Sequence, residues 1–131
     1  IYITGHSMGG ALSSIVGFLL CKYYSYNIKV YSFASPKFGN KQLKYYIENM
    51  KKLKIFNILN EADMVIHKPL NWKYTRIGRE IKFRIDTGND NVNHGIKVYR
   101  ECVLKTKKSI IPKRGHRIDE ILSRWFLDIL G

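Results

Sequence analysis

"IYITGHSMGGALSSIVGFLL", residues 1–20, contains a change of hydrophobic period that decides the fold. Residues 1–4 are β-branched and aromatic and read as the end of a buried strand, a pattern that stops at Gly5. From Gly9 onward the pattern is helical, with Ala11, Ile15 and Leu19, and Val16 and Leu20, recurring at three- and four-residue steps. Between the two lies Gly5-His6-Ser7-Met8-Gly9, so a serine sits where a strand turns directly into a helix.

The chain beyond this turn repeats the same alternation. Residues 28–35, "IKVYSFAS", read as a second strand, ended by Pro36 and Gly39. Residues 40–52 follow as a helix with Asn40 at its cap, and residues 53–60, "LKIFNILN", as a third strand. Strand, helix, strand, helix, strand at this spacing predicts parallel strands joined by right-handed crossovers, an α/β layout. Further on, residues 72–86 read as two short strands turning at Gly78, and residues 88–95, "GNDNVNHG", as a polar loop. Residues 96–104 read as an edge strand, and residues 116–130 as an amphipathic helix with Ile118, Ile121, Leu122, Trp125 and Phe126 on one side. There is no internal repeat and no low-complexity linker.

The chain has 131 residues, 45% of them hydrophobic, which bounds it to one domain with a packed core. No stretch approaches the roughly 20 apolar residues that span a bilayer. The net charge of +13 would draw anionic partners if it were focused, but the lysines recur along the whole chain. Aromatic and basic residues do not interleave in a pattern that points to nucleic acid, so no nucleic-acid partner is expected. Cys21 and Cys102 are isolated, with no paired spacing for metal or redox work; one disulfide is the alternative, and two buried thiols in a reducing, intracellular compartment are the expectation. No metal or cofactor is expected. The first residue is Ile and no charged, then apolar leader precedes the turn, so the expectation is that the gene product begins further upstream.

Residues 5–9 fit G-x-S-x-G, the nucleophile elbow of α/β-hydrolases, and their place between a strand and a helix is the context the motif requires. Gly5 and Gly9 are expected to relieve collisions in a turn tight enough to lift the Ser7 hydroxyl above the sheet edge. The following helix points its first amides at the same place, so the Met8 N–H is the expected oxyanion donor. A serine needs a base, and the base needs an acid to orient it. Asp63, three residues past the third strand, is the expected acid, with Glu61 as the alternative. His6 lies too close in sequence to fold back onto Ser7. Among His67, His94 and His116, the last is favoured as base because it follows a loop long enough to return across the sheet.

Four stretches in order resemble the class 3, or fungal-type, lipase family of α/β-hydrolases. "ITGHSMGGALSSI" is similar to that family's elbow, and "FASPKFGN" (residues 33–40) to its turn after the next strand. "NEADMVIHKPL" (residues 60–70) is similar to its acid-bearing loop, and "YTRIGREIKF" (residues 74–83) to its late hairpin. Met8 stands where a leucine is more usual, and Lys68 and Leu70 flank Pro69 where the family often has two prolines. The segment around His116 is the weakest match.

The resemblance implies a partial α/β-hydrolase fold, a mostly parallel sheet with flanking helices, in which residues 1–131 correspond to the C-terminal portion of a lipase domain. The family's preceding strands, second oxyanion donor and lid would lie upstream of the elbow. It also implies a carboxylic ester hydrolase with Ser7 as nucleophile, Asp63 as acid and His116 as base. Such an enzyme would act on lipid esters such as triacylglycerols or phospholipids through an acyl-enzyme, with transient contact to a membrane or lipid-droplet surface. The alternative is a catalytically silent relative that binds anionic lipid surfaces or other acidic partners.

Overall fold

The computed structural model of the chain describes residues 1–109, and the side chains of residues 1–105. Four strands, β1 (Tyr2–His6), β2 (Ile28–Phe33), β3 (Leu53–Asn60) and β4 (Arg79–Phe83), form one sheet in the order β1-β2-β3-β4. Every neighbouring pair is parallel. The first two connections are helices, α1 (Met8–Tyr24) and α2 (Lys41–Glu48). The third contains a short 3-10 helix, Met64–His67. Two further helices, α3 (Asp90–His94) and α4 (Ile96–Ser109), follow the sheet. This is the α/β fold with a parallel sheet and flanking helices.

β3 is buried along its length apart from Lys54, as expected for an apolar run in a parallel sheet with both faces covered. On one face Ile28 and Val30 of β2 and Leu53 and Ile55 of β3 pack with Cys21 of α1 and Ile47 of α2. α1 turns its small residues to this layer: Gly10, Ala11, Ser13, Ser14, Gly17 and Cys21 are buried, while Leu12, Val16 and Leu19 are exposed among the described residues. The close approach accounts for that choice, because a Cβ on Gly17 would lie 2.6 Å from Val30 Cγ2. The opposite face carries a stacked pair, Tyr31 and Phe56, with ring centroids 5.3 Å apart. α2 begins as expected, with the Asn40 side chain accepting from the Leu43 N–H at 2.9 Å.

Three predicted elements differ from those observed. The hairpin at Gly78 is a single strand, β4, which pairs parallel to β3, while Thr75 makes only an isolated antiparallel bridge to Gly39. Gly78 has φ +93° and lies so close to Ile55 that a Cβ would meet its carbonyl at 2.7 Å, so this glycine admits the chain to the sheet edge rather than turning it back. The polar loop at 88–95 contains α3, capped by the Asn89 side chain, which accepts from the Val92 N–H. The edge strand predicted at 96–104 is helical, in α4, and buries Val98 and Tyr99. The predicted helix at 116–130 lies outside the described residues. Residues 1–99 form one compact unit, and a second begins at Arg100, where Glu101 and Lys105 pair one helical turn apart at 2.6 Å.

Candidate active site

The turn from β1 to α1 fixes Ser7 in a conformation that L-residues rarely adopt, φ 59° and ψ −126°. Its backbone N–H donates to the Phe33 carbonyl at the end of β2 at 2.9 Å, which ties the turn to the neighbouring strand. Ser7 occupies the N-cap position of α1, yet its side chain caps nothing. A serine there ordinarily bonds the first helical amides. Here the hydroxyl points elsewhere, and Ser7 Oγ lies 2.8 Å from His94 Nε2.

Gly5 is required by this geometry. A Cβ there would fall 2.1 Å from the Gly9 carbonyl oxygen, and backbone cannot yield as a flexible side chain can. Gly9 is different: among the described residues a Cβ would meet nothing within 4 Å. The second crowded glycine is Gly10, where a Cβ would lie 2.7 Å from Ser32 Oγ and 3.1 Å from the Phe33 carbonyl. The steric demand expected at Gly5 and Gly9 therefore falls on Gly5 and Gly10. Gly5→Ala is expected to destabilise the protein by about 3 kcal/mol or more, lowering the thermal midpoint by roughly 10 °C. Gly9→Ala, in an open helical first turn, should stay within about 1 kcal/mol of wild type and on the stabilising side. Thermal denaturation of the two variants separates these outcomes.

His94 Nδ1 lies 2.8 Å from Asp63 Oδ2. Carboxylate oxygens accept, so Nδ1 carries the proton, and Nε2 of the neutral ring accepts from the Ser7 hydroxyl. Asp63 is fully buried. Its Oδ1 accepts from the Val65 N–H at 2.8 Å, capping the 3-10 helix, and its Oδ2 accepts from the Tyr99 hydroxyl at 2.7 Å as well as from His94. Three donors compensate the cost of burying the group. Glu61, the alternative acid, is exposed, and His67 is exposed at the end of the 3-10 helix. The position that the sequence reading gave to His116 is filled by His94, and His116 lies outside the described residues. Met8 begins α1, so its N–H is among the amides that a helix leaves without an internal partner.

Three residues that the sequence did not single out hold this arrangement. Tyr99 is completely buried, and its ring meets His6, Phe33 and Phe83 edge-on at centroid distances of 6.0, 6.5 and 5.2 Å. Its hydroxyl accepts from the Asn60 N–H at 3.1 Å. Tyr99 thus touches the last residue of each of the four strands. The Asn60 side chain donates to the Ile85 and Asn93 carbonyls and accepts from the Ile85 N–H. Asn93, also buried, donates to the Ala62 carbonyl and accepts from Thr87. The available signal was the density of asparagines in "GNDNVNH", a residue type that bonds local backbone.

Burial, and then the hydrogen bond to Asp63, push the Tyr99 phenol well above its ordinary value of 10.0. A folded-state value raised above the unfolded one gives stability that is fully present below about pH 10 and is lost as the pH rises beyond it. Wild-type protein should therefore lose thermal stability more steeply above about pH 10 than Tyr99→Phe. At neutral pH the same variant should be less stable by about 1–3 kcal/mol, because the Asn60 amide and Asp63 each lose a buried partner. Parallel pH series of melting curves test both statements.

Residues 1–72 match the family described as lipase (class 3). Among curated proteins, the chain is 29% identical over 92 residues to phospholipase A1-IIbeta of Arabidopsis thaliana and 30% identical over 93 residues to phospholipase A1-IIalpha of the same plant. Each match takes in 63% of this chain and 22% of the relative, so the chain spans about a fifth of the length of these proteins. Among solved structures, a lipase from Rhizopus microsporus var. chinensis superposes with a TM-score of 0.59 at 27% identity, over 65% of this chain and 31% of that one. Lipase II from Rhizopus niveus superposes with a TM-score of 0.59 at 25% identity, over 67% and 35%. The profile match over more than half of the chain, on a parallel sheet whose first strand turns sharply at a serine, shows that the chain belongs to the class 3 lipase family of α/β-hydrolases.

Proposed function

We propose that this chain carries the catalytic triad of a serine hydrolase that cleaves carboxylic esters of lipids, with Ser7 as nucleophile, His94 as general base and Asp63 as the acid that orients it. The observation that carries the reading is the continuous pair of 2.8 Å hydrogen bonds from Ser7 Oγ through His94 to Asp63. In this reading Ser7 Oγ attacks the acyl carbon while its proton passes to His94 Nε2. Asp63 keeps Nδ1 protonated and stabilises the imidazolium that forms. The carbonyl oxygen becomes an oxyanion close to the start of α1, where the Met8 N–H and the helix dipole favour negative charge. Collapse expels the alcohol, which takes the proton from His94, and leaves an acyl-Ser7 ester. A water molecule, deprotonated in turn by His94, releases the fatty acid. Relatives named as lipases and as phospholipases A1 favour glycerol-based lipid esters as the substrate class.

The test pairs turnover of a soluble short-chain ester with covalent labelling by a fluorophosphonate, each carried out on the full-length protein. The expected result is ester hydrolysis, together with a mass increase on the peptide that contains Ser7 and on no other. A protein that is folded, inert towards the ester and unlabelled at Ser7 would overturn the reading.

A further inference from the structure

His6, the residue between the two fixed points of the elbow, has no part in the relay just described, yet its side chain reaches the base. His6 Nε2 lies 2.8 Å from the main-chain carbonyl oxygen of His94, and the two imidazole rings pack at 4.9 Å between centroids. A carbonyl only accepts, so Nε2 of His6 carries a proton and donates. The bond persists whether or not Nδ1 of His6 is also protonated. Successive residues of the elbow therefore grip opposite ends of one residue: Ser7 bonds the His94 ring and His6 bonds the His94 backbone.

The backbone of His94 needs such a fastening. It is the last residue of α3, which is five residues long, and a helix that short has no stability of its own. Its carbonyl lies at the helix C-terminus, where no amide further along the helix is available to it. Asp63 and Ser7 orient the ring, and Asn60 holds the main chain one residue earlier, at the Asn93 carbonyl, so the His94 carbonyl itself is held by His6. We infer that His6 is a positioning residue for the base, its Nε2–H holding the His94 carbonyl so that Nε2 of His94 stays in line with Ser7. This rests on the reading of Ser7, His94 and Asp63 as a triad. It also explains why a bulky polar ring is accommodated on the strand directly before the nucleophile. The His6 side chain lies on the same sheet face as Phe33 and Tyr99, and Tyr99 supports it edge-on at 6.0 Å.

A displacement of about 1 Å in a catalytic group can cost on the order of 100-fold in rate. His6→Ala is expected to lower kcat for a soluble ester by about 10- to 100-fold with KM within about twofold, because substrate contacts are untouched. His6→Gln places an amide N–H at the reach of Nε2 and should recover most of that loss. His6→Asn places its amide at the depth of Nδ1, too short to reach, and should behave like His6→Ala. Amide hydrogen exchange across residues 89–95 reads the tether without any catalysis: it should speed up in His6→Ala and His6→Asn and stay near wild type in His6→Gln. If His6→Ala fails to fold, the Gln and Asn pair, equal in polarity and different in reach, still decides the matter. Equal exchange and equal kcat in Gln and Asn variants would overturn the tether. A wild-type protein without esterase activity would instead overturn the triad reading, with the exchange measurement still deciding on His6.

Discussion

Ser7→Ala should abolish ester turnover, with kcat falling by about five to six orders of magnitude, while the thermal midpoint hardly moves. The combination is unusual for a serine at a helix N-cap, where the alanine substitution ordinarily costs about 1 kcal/mol. Ser7 caps nothing, since its hydroxyl is 2.8 Å from His94 and not on the amides of α1. Alanine bears the same positive φ at the same backbone cost, so the fold loses one half-buried hydrogen bond and little else. A stability change within about 0.5 kcal/mol is expected. Rates measured beside a melting curve check both halves. Turnover within tenfold of wild type would remove Ser7 from the chemistry, and a large loss of stability would mean that the hydroxyl has a structural role the hydrogen bonds do not show.

His94→Ala should be nearly as severe as Ser7→Ala, about four to six orders of magnitude in kcat, because groups that act as one unit lose most of their effect together. The double variant Ser7→Ala, His94→Ala should then be little worse than either single one. His116→Ala should keep kcat within a few-fold of wild type, since the position of the base beside Ser7 and Asp63 is already occupied. The pair is decisive because the two histidines lie on different segments and their losses cannot be confused. Full activity in His94→Ala with loss in His116→Ala would return the base to His116. Asp63→Asn should fall between, at about 10,000-fold, because an amide at Oδ2 would favour the wrong imidazole tautomer. It would also meet the Tyr99 hydroxyl and the His94 N–H with a donor where an acceptor is needed.

The parallel sheet and the elbow were legible in the sequence because their causes are local. A β-branched run that changes to a 3.6-residue period at Gly5 specifies the turn, and a Cβ 2.1 Å from the Gly9 carbonyl shows why that residue is glycine. The candidate acid was legible as well, since Asp63 comes three residues after the end of β3, at the strand end that faces Ser7. Asn40 announced the start of α2 by its chemistry alone.

Only the tertiary structure decided which histidine stands beside Ser7, the course of β4 and the nature of residues 88–104. Loop length cannot distinguish His94 from His116, because a histidine reaches a serine through packing contacts remote in sequence. Here these are Asn60 on β3, Asn93 on α3 and His6 on β1. The segment 96–104 has β-like composition, yet helix α4 is what puts the ring of Tyr99 over the ends of all four strands and its hydroxyl on Asp63. β4 joins the sheet in parallel because the chain passes Ile55 at Gly78 with φ +93°, a backbone state that composition permits but does not require. Local period and turn chemistry determined the frame and the place of Ser7 at its turn, and long-range burial of Tyr99, Asn60 and Asn93 determined which histidine meets it.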